Sequence, residues 1–321
     1  MKFLVTGGAG YIGSHMVKYL QEKNFNVDVI DNFSTGNKWS VKECNVYAID
    51  LLDITALHKI LSRNNYDAVF HFAAKSIFSD SFIHEQEYLN NNVTASNNLL
   101  EGMIKYDINN IIFSSSASVF GSSNVLKINE THPKHPISPY GKTKLKFEKI
   151  LKDKSKDFNI NSVILRYFNA AGADKGGLIG EFHNPETHLI PCIFNTLIND
   201  GEELKIFGND HGTKDGTCIR DYVHVSDLVH AHYLAFKKLD KDRGCFDFNL
   251  GNGNGFSVLE IIEACELITK KKIKYKFVNR RTGDVPKIFT SFELVKKKLL
   301  WSPQNSLRSM CESSYKSSRK N

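Results

Sequence analysis

Short apolar runs rich in β-branched and aromatic residues recur along the first 170 residues, separated by longer stretches whose apolar positions repeat every three to four residues. The runs at 2–6, 26–30, 46–49, 68–72, 110–115 and 162–167 are short and nearly continuous in apolar character, the pattern of strands covered on both faces. Between them, Ile12, Met16, Val17 and Leu20 share one helical face, as do Ile54, Leu57, Ile60 and Leu61, and then Leu99, Leu100, Met103 and Ile104. Alternation of this kind predicts βαβ units, which right-handed crossovers wind into an open sheet with helices on both sides. The expected fold class is α/β, a Rossmann-like doubly wound parallel sheet.

Past residue 170 the alternation loosens and glycines cluster at 172–180, 208–216 and 251–255. Residues 1–169 therefore read as one domain and 170–321 as a smaller C-terminal substrate-binding lobe. The run 246–250 reads as another buried strand, so a segment near 220–250 is expected to return to the first sheet. The polar tail 313–321 is expected to fray.

Chemistry begins at the first strand–helix junction. Gly7, Gly10 and Gly13 are spaced three apart there. Glycine suits a tight turn, lets backbone approach a pyrophosphate, and lets strand and helix pack closely, while the helix N-terminus offers free N–H groups to phosphate. Asp31 ends the second strand 18 residues past Gly13. A carboxylate there accepts from ribose hydroxyls and repels a 2′-phosphate, which favours NAD over NADP and makes 1–169 the NAD-binding domain. Asp50 and Leu51, after the third strand, are placed to reach the adenine. Pro139 reads as a helix entry, so Tyr140 and Lys144, at i and i+4, share a face. An ammonium beside a phenol is expected to lower its pKa from about 10. Ser114, Ser115 and Ser116 close the fifth strand at the edge where such sheets bind ligands.

Composition narrows the classes. With 41% hydrophobic and 24% charged residues, 21 Gly and 7 Pro in 321, the chain is neither collagen-like nor disordered. No apolar run approaches a membrane span, and the apolar start is too brief for a signal peptide, so a cytoplasmic protein with no membrane partner is expected. The six cysteines lie far apart, with no CxxC and no zinc-type Cys/His spacing, so reduced thiols and no metal are expected. The net charge of +7 comes partly from lysine runs at 270–272 and 296–298, which read as solvated faces and not as a nucleic-acid surface. A basic surface also suits an anionic small substrate.

The motifs TGGAGYIGSH, DNFS, HFAA, SSSASVFG and SPYGKTK resemble the extended short-chain dehydrogenase/reductase superfamily. RYFNAAGA, IFGND and DGTCIRDYVHVSDL are similar to the UDP-glucose 4-epimerase (UDP-galactose 4-epimerase) family within it. The likeness implies a tightly held NAD, reduced and reoxidised in each turnover, and a UDP-hexose substrate. It implies Tyr140 as the base at the sugar 4-hydroxyl, Ser116 bonded to the same oxygen, and Lys144 on the nicotinamide ribose. It places Gly7, Gly10, Tyr11, Ile12, Gly13, Asp31, Asn32, Ser34, Asp50, Leu51, Phe72, Ala73, Asn91 and Phe168 around NAD. Asn169, Leu189, Phe207, Arg220, Arg281 and Asp284 are implied around the nucleotide sugar, the arginines facing its diphosphate. A homodimer paired through the helical stretches 82–106 and 141–157 follows from the same likeness.

Several positions depart from the family pattern. Phe120 replaces a common tyrosine, Ser76 stands where a lysine is often found just after Lys75, and His188 replaces an asparagine beside the uracil. Ile288 occupies the place of the residue thought to gate N-acetylated sugars, which argues against UDP-N-acetylhexosamines. Other nucleotide-sugar 4-epimerase specificities stay open. A sugar dehydratase would need an acidic pair at Ala117 and Ser118, and a non-catalytic NAD sensor would not need Ser116, Tyr140 and Lys144 together.

Overall fold

The computed structural model describes residues 1–122, 127–198, 202–281 and 283–320. Its first part runs β1 (Lys2–Thr6), α1 (Tyr11–Glu22), β2 (Asn26–Ile30), β3 (Asn45–Tyr47), α2 (Ile54–Leu61), β4 (Ala68–His71), α3 (Glu85–Leu89), α4 (Ala95–Lys105), β5 (Asn110–Ser116), α5 (Pro139–Asp157) and β6 (Asn161–Tyr167). Then follow β7 (Asn169–Ala171), α6 (Leu189–Ile198), β8 (Leu204–Phe207), β9 (Ile219–His224), α7 (Val225–Leu239), β10 (Cys245–Leu250), β11 (Gly255–Ser257), α8 (Val258–Thr269), β12 (Tyr275–Val278), β13 (Lys287–Ile288), α9 (Glu293–Leu299) and α10 (Leu307–Ser318).

Seven strands form one parallel sheet in the order β10-β6-β5-β4-β1-β2-β3. Successive residues point to opposite faces, and the cores divide accordingly. Phe3, Val5, Phe70, Ile112, Val163 and Leu165 face α1 and α7, while Leu4, Val69, Ile111, Phe113 and Ile164 face α2, α4 and α5. Between β1 and β4 the chain order reverses, which opens a crevice beyond the strands' carboxyl ends. The stretch 225–250 lies on this sheet: β10 pairs with β6 and α7 packs beneath. Val295, Leu299 and Trp301 join the same core, whereas α6, α8 and α10 enclose a separate one around β8 and β9.

Local chemistry sets the helix ends. Asp53 caps α2, Ser138 caps α5 with Pro139 in its first turn, and Ser257 and Glu260 form a capping box on α8. Three expectations change. β3 ends at Tyr47 and is an exposed edge strand, shorter than the apolar run 46–49, because only β2 pairs with it. The stretch 82–106 is not one α-helix: it starts at Glu85 and carries a π-helical turn over Asn90–Thr94. The polar tail is the helix α10 through Ser318, held by buried Met310, Cys311 and Ser317, with Asn321 outside the described residues. Both lysine runs are solvent-exposed, as the sequence suggests.

Helix α5 is fastened by charge. Arg166 on β6 forks onto Glu148 of α5, with Nε to Oε1 and a terminal nitrogen to Oε2 both at 2.8 Å, and reaches Asp247 of β10 at 2.5 Å. Ser115 donates to the same Glu148 carboxylate at 2.5 Å. Removing one partner of so buried a pair leaves an uncompensated charge. Arg166→Met is expected to lower the urea unfolding free energy by about 3–5 kcal/mol; a loss below about 1 kcal/mol would show that the network is not what secures α5.

Candidate active site

The glycine loop leaves β1 at Gly7, whose φ of 68° is left-handed. A Cβ there would sit 2.5 Å from the Ala73 nitrogen, and one on Gly13 would sit 2.1 Å from the Gly7 carbonyl oxygen. These two glycines let loop, strand and helix close together. A Cβ on Gly10 would meet only the Gly7 carbonyl, at 3.3 Å, so this missing side chain leaves a cradle at the start of α1. Gly10 caps α1 without a side-chain bond, which leaves its first N–H groups to an anion.

Asp31 closes β2 beside this loop. Its carboxylate accepts from the Ala9 and Phe33 amides at 2.9 and 2.8 Å, and burial raises its pKa against those two bonds. With about four lone-pair sites, the carboxylate keeps capacity for ribose hydroxyls. Asn32 donates to Asp50 at 2.8 Å, and Asn32 in turn accepts from the Ser34 amide at 3.0 Å. Leu51 is buried nearby in the α2-side core. On the other side, Asn91 and Asn92 accept from the Lys75 amide at 3.1 and 2.8 Å, fixing the loop that carries Phe72 and Ala73. Lys75 turns away to pair with Glu87, and Ser76 is exposed. The glycine loop also reaches the later half of the chain: Tyr11 donates to the Gly172 carbonyl at 2.6 Å. Ile12 packs on the α1-side core, and Phe168 is buried between β6 and β7.

Tyr140, Lys144 and Glu148 lie one turn apart on the buried face of α5. Lys144 donates to the Ser114 carbonyl at 2.9 Å and stands 5.9 Å from the centre of the Tyr140 ring. Ser116 ends β5, where its hydroxyl also accepts from the Ser118 amide at 3.1 Å. The expected depression of the Tyr140 pKa by Lys144 is corrected here. Burial pushes the phenol up to about 12, with the Ser116 hydrogen bond acting against it. Burial also drives Lys144 down to about 7 although Glu148 opposes, so burial outweighs the neighbouring amine in setting the direction of the Tyr140 shift. Positive charge from a bound group would have to complete the shift.

A second group stands on β8, β9 and the 280s loop. Arg220 pairs with Asp284 at 2.9 Å, and the Arg281 guanidinium stacks 3.9 Å from the Phe207 ring centre. Asn169 lies opposite Tyr222 on β9, and Leu189 opens α6. Ile288 is opposite Arg220 in the β13–β9 register and packs on Val119 and Phe120, which follow Ser116, so it bridges the two groups. No acid stands at Ala117 or Ser118.

Two features escaped the sequence reading. The Glu148–Arg166–Asp247 network joins residues far apart in the chain, with only the helical spacing of Glu148 from Lys144 as a signal. Glu181, His183, Glu186 and His188 converge between β7 and α6, and four potential metal ligands within eight positions could have drawn notice. Burial alone would lower His188, but Glu181 and Glu186 raise it to about 9.

The sequence pattern of the NAD dependent epimerase/dehydratase family matches residues 3–251. The chain is 44% identical to the UDP-glucose 4-epimerase of Halalkalibacterium halodurans over 313 residues, 97% of this chain and 94% of that protein. A crystal structure of UDP-glucose 4-epimerase superposes with a TM-score of 0.96 at 41% identity, covering 100% of this chain and 98% of the other. UDP-glucose-4-epimerase from Stenotrophomonas maltophila, with bound NAD and formylated UDP-arabinopyranose, matches with a TM-score of 0.96 at 35% identity and the same coverage, 100% and 98%.

Four buried imidazoles make the chain acid-sensitive. Burial lowers His71 to about 3 and His15, His224 and His232 to about 4. The unfolded chain protonates them near 6.5, so their contribution is lost as pH falls through that value. His188, whose protonated form is already favoured when folded, and Asp221, which burial lifts to about 6, act in the opposite direction. Because these four imidazoles outweigh His188 and Asp221, a loss of about 1–2 kcal/mol is expected between pH 7 and pH 6. Urea midpoints at the two values check it, and an unchanged or higher midpoint at pH 6 contradicts it.

Proposed function

The chain belongs to the NAD dependent epimerase/dehydratase family, and from this we infer that it interconverts UDP-glucose and UDP-galactose by inverting the configuration at sugar C4. The observation that carries the reading is the grouping of Ser116, Tyr140 and Lys144 at the carboxyl edge of β5, followed by Ala117 and Ser118 where elimination would need acids. NAD, when bound, would supply a reversible hydride acceptor for sugar C4, so that C4 can be oxidised to the 4-keto level and reduced again from the other face.

The remaining chemistry belongs to the chain. As phenolate, the Tyr140 oxygen takes the proton of the sugar 4-hydroxyl and gives it back when the 4-keto group is reduced, Ser116 holds the same oxygen, and Lys144 binds the nicotinamide ribose. The cradle at Gly10, the unpartnered start of α1 and the free lone pairs of Asp31 suit a pyrophosphate and a ribose. Gly7, Tyr11, Ile12, Gly13, Asn32, Ser34, Asp50, Leu51, Phe72, Ala73, Asn91 and Phe168 complete the NAD site in this reading. Arg220 and Arg281 meet the UDP diphosphate as charge-assisted donors, with Phe207, Asn169, Leu189 and Asp284 around the nucleotide. The six free cysteines fit a reducing cytoplasm, and no described helix is long and apolar enough to cross a membrane.

Tyr140→Phe keeps the ring and removes the proton acceptor. It is expected to retain NAD while turnover of UDP-galactose falls by about 10²–10⁴-fold. Turnover equal to that of the unaltered enzyme would overturn the mechanism. The reading includes a homodimer joined through α4 and α5, for which sedimentation should give twice the chain mass; a single-chain mass at all concentrations removes it.

A further inference from the structure

The loop between β7 and α6 gathers two carboxylates and two imidazoles; His188 stands where the family pattern puts an asparagine beside the uracil, and the other three have no role in the proposed reaction. Glu181 and Glu186 are buried, with side chains 8% and 9% exposed. The His188 Nδ1 lies 3.1 Å from Glu181 Oε1 and 3.0 Å from Glu186 Oε1, and the His183 Nδ1 lies 3.8 and 3.5 Å from the same two carboxylates. One donor atom from each side chain falls within 4.8 Å of all the others. A tetrahedral ion with bonds of about 2.0–2.2 Å separates its donors by roughly 3.3–3.6 Å, a spacing that side-chain adjustments of up to about an ångström would give the four donors.

His188 Nδ1 already bridges the two carboxylates, so a cation bound here takes over the place of the imidazole proton between them. Glu186 is oriented in advance: the Thr187 and His188 amides donate to its Oε1, both at 2.8 Å, and the His183 amide to its Oε2 at 3.3 Å. Orientation of a carboxylate by outer hydrogen bonds is what metal ligands need. A separate observation points the same way. Glu181, His183 and Glu186 line a cavity of about 300 Å³, and Ser317, 2% exposed and lining the same cavity, has a hydroxyl with no hydrogen-bond partner. The buried His183 Nδ1 also has no hydrogen-bond partner. The cavity supplies both an entry path and space for a metal-bound water.

We propose that Glu181, His183, Glu186 and His188 bind one divalent d-block cation, for which Zn²⁺ is the best-suited common ion. Two imidazoles and two carboxylates disfavour Mg²⁺ and Ca²⁺, which take all-oxygen shells, and suit a four-coordinate ion with no geometric demand of its own. The ion would clip a loop that spans the two halves of the chain. Asn37 donates to the Phe182 carbonyl at 3.2 Å and Trp39 stacks edge-on against Phe182 on one side, and α6, which begins at Leu189, follows on the other.

The test uses the full chain, stripped with a chelator and then titrated with Zn²⁺ alone in equilibrium dialysis, so it is independent of the epimerase reading. The expected result is one ion per chain. His183→Gln and Glu186→Gln should each weaken binding by about 100-fold or more, since even outer partners of metal ligands are worth roughly 10–100-fold. Co²⁺ in the unaltered protein should give the visible absorption of a tetrahedral nitrogen–oxygen site without a sulfur-to-metal charge-transfer band. Absence of stoichiometric Zn²⁺ binding would overturn the proposal, as would binding that folded forms of both variants retain in full. A sulfur band would also overturn it by assigning the ion to cysteine, and the cobalt spectrum decides the matter even if both variants fail to fold.

Discussion

Glu148 and Arg166, both shut away from water, hold the face of α5 that carries Tyr140 and Lys144 against β5 and β6. The rest of the site depends on this attachment, which acts together with the apolar packing of Phe147 and Leu151 of the same helix against the sheet. Ser115 adds a bond to Glu148 and Asp247 one to Arg166, whose other terminal nitrogen has no partner, and the Ser114 carbonyl receives Lys144 one turn earlier. The same buried setting that positions the two side chains also makes their charged forms costly. Burial raises the Tyr140 phenol and lowers the Lys144 amine, so a bound cation would favour the phenolate that the chemistry needs.

The sheet supplies the second constraint. Strand order reverses beside β1, and the tight approach of Gly7 to Ala73 and of Gly13 to Gly7 brings the first helix and the β4 loop to one crevice. Ser116 and Tyr140 come to that edge from β5 and α5, while Arg220 and Arg281 come from elements beyond the first sheet. Contacts such as Tyr11 to Gly172 and Ile288 to Val119 and Phe120 tie these sources together. The family to which the chain belongs uses one NAD-binding frame for several reactions. What distinguishes them lies in a few side chains, here Ala117 and Ser118 in place of acids.

Much of this was legible in the sequence because buried parallel strands and amphipathic helices leave strong periodic signals. Strands β1 and β2 run over 2–6 and 26–30 as the pattern predicts, and β4, β5 and β6 differ by a residue at one end. The i, i+4 relation of Tyr140 and Lys144 needs only a helix. What the sequence left unread depends on partners distant in the chain. β3 is shortened by having one neighbour, β11 and β13 exist only because β9 pairs with them, and the π turn at Asn90–Thr94 interrupts a helix whose apolar spacing looks regular. The direction of the Tyr140 shift was misjudged because spacing reveals a neighbouring charge and says nothing of burial. The Glu181–His188 cluster was missed for a related reason: its ligand types follow no familiar metal spacing, and only the folded loop turns all four inward.

The central claim is that this chain carries a complete 4-epimerase site with resident NAD. The most direct measurement is to incubate the purified protein with UDP-galactose, with no added cofactor, and follow the sugar resonances by NMR. The account predicts that UDP-glucose appears until the two sugars reach equilibrium. No UDP-glucose, even after NAD is supplied, would contradict it.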